Sequence, residues 1–232
     1  MTGHLDLNQI QLAAIVQSTK GIISRIPRGR ENLKCVRITH LEGLEYLDVW
    51  ATDRYCVLHL VIHCSAAAPA VDTCVDHSEL AAALAELKAS PLTRVKISES
   101  EFTIDSVTTA QAFKPSPTQQ AFKLSPTQLP PVERLVQGGP ALGDVHEGSF
   151  FNLGMTAKVA AGVRLSQETA REGQEAPWEI AQKGVHPGKD ERLGLLYLRR
   201  DNSHRARGPE RESWLGVEYA EIWQIANFKP KG

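Results

Sequence analysis

The sequence lacks paired cysteines, an excess of either charge and a long apolar run, and each absence narrows the possible functions. None of the four cysteines forms a Cys-x-x-Cys motif, so we expect reduced thiols that pack as small apolar groups. The 26 Lys and Arg residues are balanced by 27 Asp and Glu residues, which excludes a uniformly basic surface for nucleic acid. Any basic surface must therefore be local.

The longest apolar stretch, residues 57–70, contains two histidines and a proline and is too short to span a bilayer. The first twelve residues carry His4, Asp6, Asn8 and Gln9 where a secretory signal would have a basic start and an apolar core. These features predict a cytoplasmic protein with no membrane partner. With 42% hydrophobic and 23% charged residues in 232, the composition is typical of one large or two modest globular domains.

Hydrophobic periodicity predicts the same arrangement twice in the first 130 residues or so, a helix followed by three strands. The first helix is predicted over residues 7–24, with Asp6 and Gln9 as its capping pair. The second is predicted over 78–88, with Asp76 and Glu79 in the same roles. The predicted strands are residues 33–40, 47–51 and 57–62 in the first unit, and those around 95–97, 102–104 and 107–113 in the second.

Gly138-Gly139-Pro140 marks the best linker, which divides the chain into a domain at 1–136, a linker at 137–149 and a partial or divergent domain at 150–232. The second domain has a predicted helix opening at Asn152 and predicted strands at 178–181 and 193–198. Residues 214–226 fit either a helix or a strand, and we favour the helix. Just before the linker, Ala-Phe-Lys-x-Ser-Pro-Thr-Gln occurs twice, at 112–119 and 121–128, as a loop-like duplication.

The sequence offers no convincing catalytic or metal-binding set. His59 and His63 share one face of a predicted strand, but four residues of strand separate them by roughly 13 Å, too far for one metal ion. The chain has no Gly-x-Ser-x-Gly elbow, phosphate-binding glycine loop or His-Glu-x-x-His helix. We therefore expect a protein that is not an enzyme and has no metal or cofactor, and in which Asp53 accepts local amide hydrogen bonds.

The run Val49-Trp50-Ala51-Thr52-Asp53-Arg54-Tyr55 resembles a turn of the bacterial DNA sliding clamp, the β subunit of DNA polymerase III. The predicted elements on either side of this run follow the order of that family. Phe151-Asn152-Leu153 is similar to the start of the last clamp helix, and residues 194–199 are similar to a strand near the clamp's end. The resemblance covers residues 5–135 well and 150–200 weakly.

The resemblance implies an α+β DNA-clamp fold, built from repeated helix-plus-antiparallel-strand units with the helices on one face of the sheets. In such a ring the helices line a central hole, and basic side chains contact the phosphates of double-stranded DNA without reading its sequence. Carried onto this chain, the DNA-binding candidates are Lys20, Arg25, Arg28, Arg30, Lys88, Lys158 and Arg164.

Clamps also bind short peptides of DNA polymerases and clamp loaders in an apolar pocket, for which the matching residues here are Leu195, Leu196 and Leu198. Core packing is the alternative role for this strand. Family rings contain twelve helix-plus-strand units, so a chain with two complete units and one partial unit implies a homo-oligomer. The resemblance thus implies a processivity factor that encircles duplex DNA. The alternative is a clamp-fold interaction or decoy protein that does not close a ring.

Overall fold

The computed structural model describes residues 4–30, 33–89, 93–98, 102–106, 120–122, 129, 142–143, 156–161, 179–183, 193–201 and 217–227. Two long helices pack against each other in this part of the chain, α1 (Gln9–Ile23) and α2 (His77–Ala89). Residues 156–161 form a further helical segment. All strand pairs in the described residues are antiparallel.

A four-stranded sheet has the order β1-β6-β7-β8. Its strands are β1 (Leu5–Leu7), β6 (Thr93–Ile97), β7 (Phe102–Ser106) and β8 (Gln120–Phe122). An eight-stranded sheet has the order β5-β2-β3-β4-β12-β11-β10-β9. Its strands are β2 (Cys35–His40), β3 (Tyr46–Thr52), β4 (Cys56–His63), β5 (Val71–Asp76), β9 (Leu142–Gly143), β10 (Glu179–Lys183), β11 (Leu193–Asp201) and β12 (Val217–Asn227).

The predicted repeat is confirmed, but each unit also begins with a strand that the hydrophobic pattern does not predict. β1 precedes α1 and joins the sheet of the second unit, while β5 precedes α2 and joins the sheet of the first. Three residues are too few to show a period in β1, and in β5 three consecutive buried residues, 73–75, break the alternation. The strand predicted near 107–113 lies outside the described residues, and β8 pairs with β7 further along.

The cap of α1 lies two residues after the predicted one. Asn8 Oδ1 accepts from the amide of Gln11 at 2.9 Å, and Gln11 Oε1 accepts from the amide of Asn8 at 2.9 Å. This reciprocal pair replaces the predicted pair of Asp6 and Gln9, because Asp6 belongs to β1. Gln11 also donates to the carbonyl of His63 at 2.7 Å, which attaches the start of the helix to the end of β4.

The helix that we favoured for residues 214–226 is wrong, because the structure places β12 there, between β4 and β11. Val217, Ala220 and Ile222 enter the core, while Tyr219, Glu221 and Trp223 lie on the opposite face. A bulge between Val217 and Tyr219 interrupts the strict alternation and makes the pattern resemble a helical period. Because β12 pairs with a strand on each side, its backbone N–H and C=O groups are hydrogen-bonded, as they would be in a helix.

The main core lies between the two helices and the inner faces of the two sheets. Both helices contribute to it, and so do the strands of both units, the segment 156–161 through Val159, and β12 through Ala220 and Ile222. Leu58 on β4 is the register neighbour of Ile222, so the core continues across the junction of β4 and β12. β12 thus shares one apolar interior with the two long helices and the strands around them.

On the outer face, a charged and aromatic cluster joins the same two strands. His59 on β4 lies between two carboxylates, with Nε2 2.7 Å from Asp48 Oδ1 on β3 and Nδ1 2.8 Å from Glu221 Oε1 on β12. The Trp50 ring stacks on the imidazole at a centroid separation of 3.8 Å and an interplanar angle of 4°. Tyr219 donates its hydroxyl to Glu221 at 3.0 Å. Both imidazole nitrogens face carboxylate oxygens, so the arrangement favours the doubly protonated ring.

The pKa values of His59 and Glu221 both move toward the charged form. Burial alone lowers the pKa of His59, but the hydrogen bonds and charges of Asp48 and Glu221 outweigh it and hold the pKa above its ordinary value of 6.5. Burial alone raises the pKa of Glu221, and the His59 hydrogen bond and charge bring it below 4.5. The His59 contribution to stability is full below pH 6.5 and is lost as pH rises through the folded-state pKa. The Glu221 contribution is full above pH 4.5 and is lost as pH falls.

We therefore expect His59→Gln to lower the free energy of unfolding by about 3 kcal/mol near pH 5.5, since it leaves two carboxylates without their cation. The deficit relative to wild type narrows as pH rises toward 9, because wild-type His59 then loses its proton. Urea denaturation at a series of pH values measures this. The control is His63→Gln, since neither ring nitrogen of His63 has a hydrogen-bond partner in the described structure. A deficit for His59→Gln that stays constant with pH would contradict the assignment.

Candidate nucleic-acid interface

The carboxyl-terminal end of α1 and the loop after it carry four cations and no acid between residues 20 and 30. Lys20 lies in the last turn of α1 and is exposed, as are Arg25 and Arg28, while Arg30 is half-buried. Gly29 takes a φ of +87°, which bends the loop where a side chain would be strained. Most of α1 faces the core, so its exposed strip near the end is narrow, and the positive charge is concentrated there.

Lys158 is distant in sequence but also lies at the carboxyl-terminal end of α1. Its Nζ donates to Ser24 Oγ, the residue that caps α1, at 3.5 Å. Ser18 donates to the carbonyl of Val159 at 3.5 Å inside the core, which fixes the segment 156–161 against the second half of α1. The structure thus brings Lys158 beside the predicted cluster at 20–30. We call Lys20, Arg25, Arg28, Arg30 and Lys158 the basic end.

Arg25 has a structural role that the sequence did not reveal. Its Nε lies 3.5 Å from Asp53 Oδ2, and its guanidinium donates to Cys56 Sγ at 3.9 Å. Asp53 is 5% exposed, and its Oδ1 accepts from the amides of Tyr55 at 2.9 Å and Cys56 at 2.7 Å. The prediction that Asp53 accepts local amide bonds is confirmed. Arg25 therefore ties the turn between β3 and β4 to the end of α1.

Two of the predicted DNA-binding cations, Lys88 and Arg164, lie partly or wholly outside the described residues. Lys88 belongs to α2, but its side chain lies outside the described residues, and so does Arg164 as a whole.

His77 at the start of α2 links the two long helices, because its Nε2 lies 3.0 Å from the carbonyl of Val16 on α1. Burial lowers the pKa of His77, and the charge of Lys20 lowers it further, which favours the neutral ring.

The predicted peptide-binding residues Leu195, Leu196 and Leu198 lie on β11, between β10 and β12. Leu198 is the register neighbour of Ile222, a core residue, so its position fits core packing as well as a pocket wall. The peptide site stays a prediction.

All four cysteines are free and buried. Burial raises the pKa of Cys56 and of Cys64 to about 12, which leaves both as unreactive thiols.

Across the described ranges, no group of three or more His, Cys, Asp or Glu residues could hold a metal ion. Within the same ranges, no helix is long and apolar enough to cross a membrane.

Two strand-helix-strand units that exchange their leading strands, with helices packed on one face, define the sliding-clamp fold that the sequence resemblance implied. The structure matches the β chain of DNA polymerase III from Streptococcus pneumoniae with a TM-score of 0.51 at 11% identity, covering 97% of this chain and 65% of that one. It also matches DNA polymerase III subunit beta from Borrelia burgdorferi with a TM-score of 0.48 at 9% identity, covering 99% and 66% respectively.

A third match is the beta sliding clamp of Caulobacter crescentus, with a TM-score of 0.45 at 15% identity, covering 97% of this chain and 51% of that one. This chain therefore spans about half to two thirds of the length of these clamps. No family model and no curated protein sequence matches it. At these identities the likeness is one of fold, and the fold prediction is confirmed.

The turn held by Asp53 gives a stability prediction. Asp53→Ala leaves two backbone amides and Arg25 without this acceptor, so we expect a loss of about 2–4 kcal/mol in the free energy of unfolding, measured by urea denaturation. Asp53→Asn retains an oxygen for the amides and loses about half as much. Asp72→Ala is the control, because Asp72 is exposed and its pair with Arg37 at 2.8 Å is worth under about 1 kcal/mol. Equal losses for Asp53→Ala and Asp72→Ala would contradict the role of the turn.

Proposed function

We propose that this protein is a sliding-clamp-like processivity factor, a binding protein without catalytic activity that holds duplex DNA against its helical face and tethers replication or repair proteins to it. The clamp fold supports the class of protein, and the basic end supports the DNA contact. Phosphate contacts are independent of sequence and break easily, which suits a protein that must move along DNA.

The observation that carries the proposal is the hydrogen bond between Lys158 and Ser24. It brings a cation of the carboxyl-terminal part to a cluster on the amino-terminal helix, although the two residues are 134 positions apart in sequence. Arg25 is partly neutralised by Asp53, so Lys20, Arg28 and Lys158 are the cations best placed to contact phosphates. This segregation of charge reconciles a net charge of −1 with DNA binding.

The proposal includes a homo-oligomeric ring. If the helical segment 156–161 is counted with β10, β11 and β12 as a third helix-plus-strand unit, a ring of twelve units corresponds to four copies of the chain. Peptides of a DNA polymerase or clamp loader are the proposed partners, with Leu195, Leu196 and Leu198 as the candidate pocket wall. Lys88 and Arg164 remain proposed DNA contacts.

A second candidate is a clamp-fold interaction or decoy protein that does not close a ring. The pairing of β4 with β12 of the same chain favours it, because β4 then has a strand on both sides and offers no edge to another copy. The two candidates share the DNA-facing surface and differ in whether DNA passes through a closed ring.

DNA affinity measured by fluorescence anisotropy at a series of salt concentrations tests the basic end. We expect Lys20→Gln, Arg28→Gln and Lys158→Gln each to weaken binding to a blunt duplex of any sequence. Each should also reduce the slope of log affinity against log salt by about 0.9, the value for one lost phosphate contact. The triple variant should lose close to three times as much slope.

Arg37→Gln is the matched control, because it removes one charge from the outer face of the eight-stranded sheet, where Arg37 pairs with Asp72. Its affinity and salt slope should equal those of wild type. An unchanged slope in the triple variant, or an equal change in Arg37→Gln, would refute the assignment of the DNA-facing surface.

A further inference from the structure

Two of the four cysteines are neighbours on the outer face of the eight-stranded sheet. Cys74 on β5 lies opposite Arg37 on β2, two residues beyond Cys35, so the two cysteines are diagonal neighbours on one face of this strand pair. The Cys35 thiol donates a hydrogen bond to the Cys74 sulfur. Both belong to the apolar cluster of the outer face, which also contains Trp50, Val57, Leu129 and Trp223. We call Cys35 and Cys74 the thiol pair.

The surroundings of Cys74 favour a thiolate, whereas those of Cys35 favour a thiol. The hydrogen bond from Cys35 lowers the pKa of Cys74 below its ordinary value of 9.0, and the backbone of Leu129 and the charge of Arg37 lower it further, against the effect of burial. The same hydrogen bond and burial raise the pKa of Cys35. Because the thiolate is the nucleophilic form of cysteine, Cys74 is the member of the pair that reacts first.

The other two cysteines, Cys56 and Cys64, provide a comparison within the same chain. They belong to the main core, and burial raises the pKa of each to about 12. All four cysteines are buried to a similar extent, since none is more than 6% exposed. The difference between the two sets therefore arises from the groups around each sulfur rather than from exposure.

The thiol pair can form a disulfide after a small movement of one strand. Diagonal neighbours across an antiparallel pair have Cα atoms roughly 7–8 Å apart, and disulfides usually join Cα atoms about 4.4–6.8 Å apart. β5 pairs only with β2 among the described strands, so it can approach β2 without disturbing a second described neighbour. The bond would join β2 to the strand that leads directly into α2.

We propose that the thiol pair is a site of reversible oxidation by hydrogen peroxide, with Cys74 as the attacking thiolate and Cys35 as the resolving thiol. The Cys74 sulfur attacks one peroxide oxygen, the O–O bond breaks, and a sulfenic acid forms. The other oxygen leaves as hydroxide, which takes up the proton that Cys74 lost on ionising. The Cys35 sulfur then attacks the Cys74 sulfur, the S–O bond breaks, and water leaves with the proton of Cys35.

In total, two thiols lose two electrons and hydrogen peroxide gains them, so that one disulfide and two molecules of water form. This inference does not depend on the proposed function, because the thiol pair lies on the outer face of the sheet and the proposed DNA contact lies at the basic end. Loss of DNA binding would leave it unaffected.

Mapping of the thiols in the full chain after treatment with hydrogen peroxide tests the site. The treated protein is unfolded in urea with an alkylating agent, which blocks the remaining thiols, and is then cleaved after Lys and Arg and before Asp. These cleavages place Cys35 in residues 35–37 and Cys74 in residues 72–75, apart from Cys56 and Cys64. We expect a loss of two of the four thiols and a linked peptide of residues 35–37 and 72–75. A reductant should restore all four.

Serine variants separate the roles of the two sulfurs. Cys35→Ser removes the resolving thiol but keeps a hydroxyl donor, so Cys74 should stop at the sulfenic acid, which dimedone labels. Cys74→Ser should lower dimedone labelling at least about tenfold below that of Cys35→Ser, because Cys35 stays protonated. Cys56→Ser is the matched control, since it removes a buried cysteine of the core, and it should form the same disulfide as wild type.

The wild-type map decides the question even if a serine variant folds poorly, because it needs no substitution. Circular dichroism before alkylation shows that the treated protein is still folded. The inference is overturned if folded wild type yields no link between residues 35–37 and 72–75, or if Cys56 and Cys64 are oxidised as fast as the thiol pair. Equal dimedone labelling of folded Cys35→Ser and Cys74→Ser would overturn the assignment of Cys74 as the attacking thiolate.

Discussion

The pairing of β12 with β4 is the contact on which the rest of the structure depends. It joins strands more than 150 residues apart, extends the sheet of the first unit to eight strands, and continues the core through Leu58 and Ile222. On the outer face, the hydrogen bond between His59 and Glu221 also joins β4 to β12. Without the pairing of β4 with β12, the helical segment 156–161 would no longer be held beside α1, and Lys158 would no longer lie near Ser24.

The pairing of β4 with β12 also limits how copies of the protein can assemble. β4 pairs with a strand of its own chain on both sides, so it has no free edge for a strand of another copy. A ring must then form through other strand edges, or through exchange of β12 between copies. Among the described strands, β5 and β9 lie at the edges of the eight-stranded sheet, and β1 and β8 lie at the edges of the four-stranded one. Both proposed functions therefore share one fold and one charged surface, and their difference lies in the topology of the assembly.

Much of the fold could be predicted from the sequence because its local signals agree with the final structure. The helical stripe of α1, the alternation of Leu47 with Val49 and the apolar run of β4 each match the buried face that they form. The failures have physical causes. β1 is too short to show a period, and β12 carries a bulge that imitates a helical period, so the sheet rather than the local pattern determines its form.

The candidate site was less predictable because its geometry depends on long-range contacts. The run of cations at 20–30 is visible in the sequence, but the pairing of Arg25 with Asp53 and the approach of Lys158 to Ser24 require the folded chain. In the sequence, the spacing of His59 from His63 points only to a metal ligand, and that spacing is too wide for one ion. Its actual partners, Asp48 and Glu221, are 11 and 162 residues away, and no local spacing could indicate both.

Topological trapping is the sharpest test of the proposal that the protein surrounds DNA. The protein is bound to a linear duplex, the duplex is closed with ligase, and the complex is then moved to high salt, where direct phosphate contacts fail. We expect the protein to stay on the closed circle and to be released when a restriction enzyme cuts the circle. Equal loss from the closed and the recut DNA would contradict encirclement and leave the interaction protein that does not close a ring as the better description.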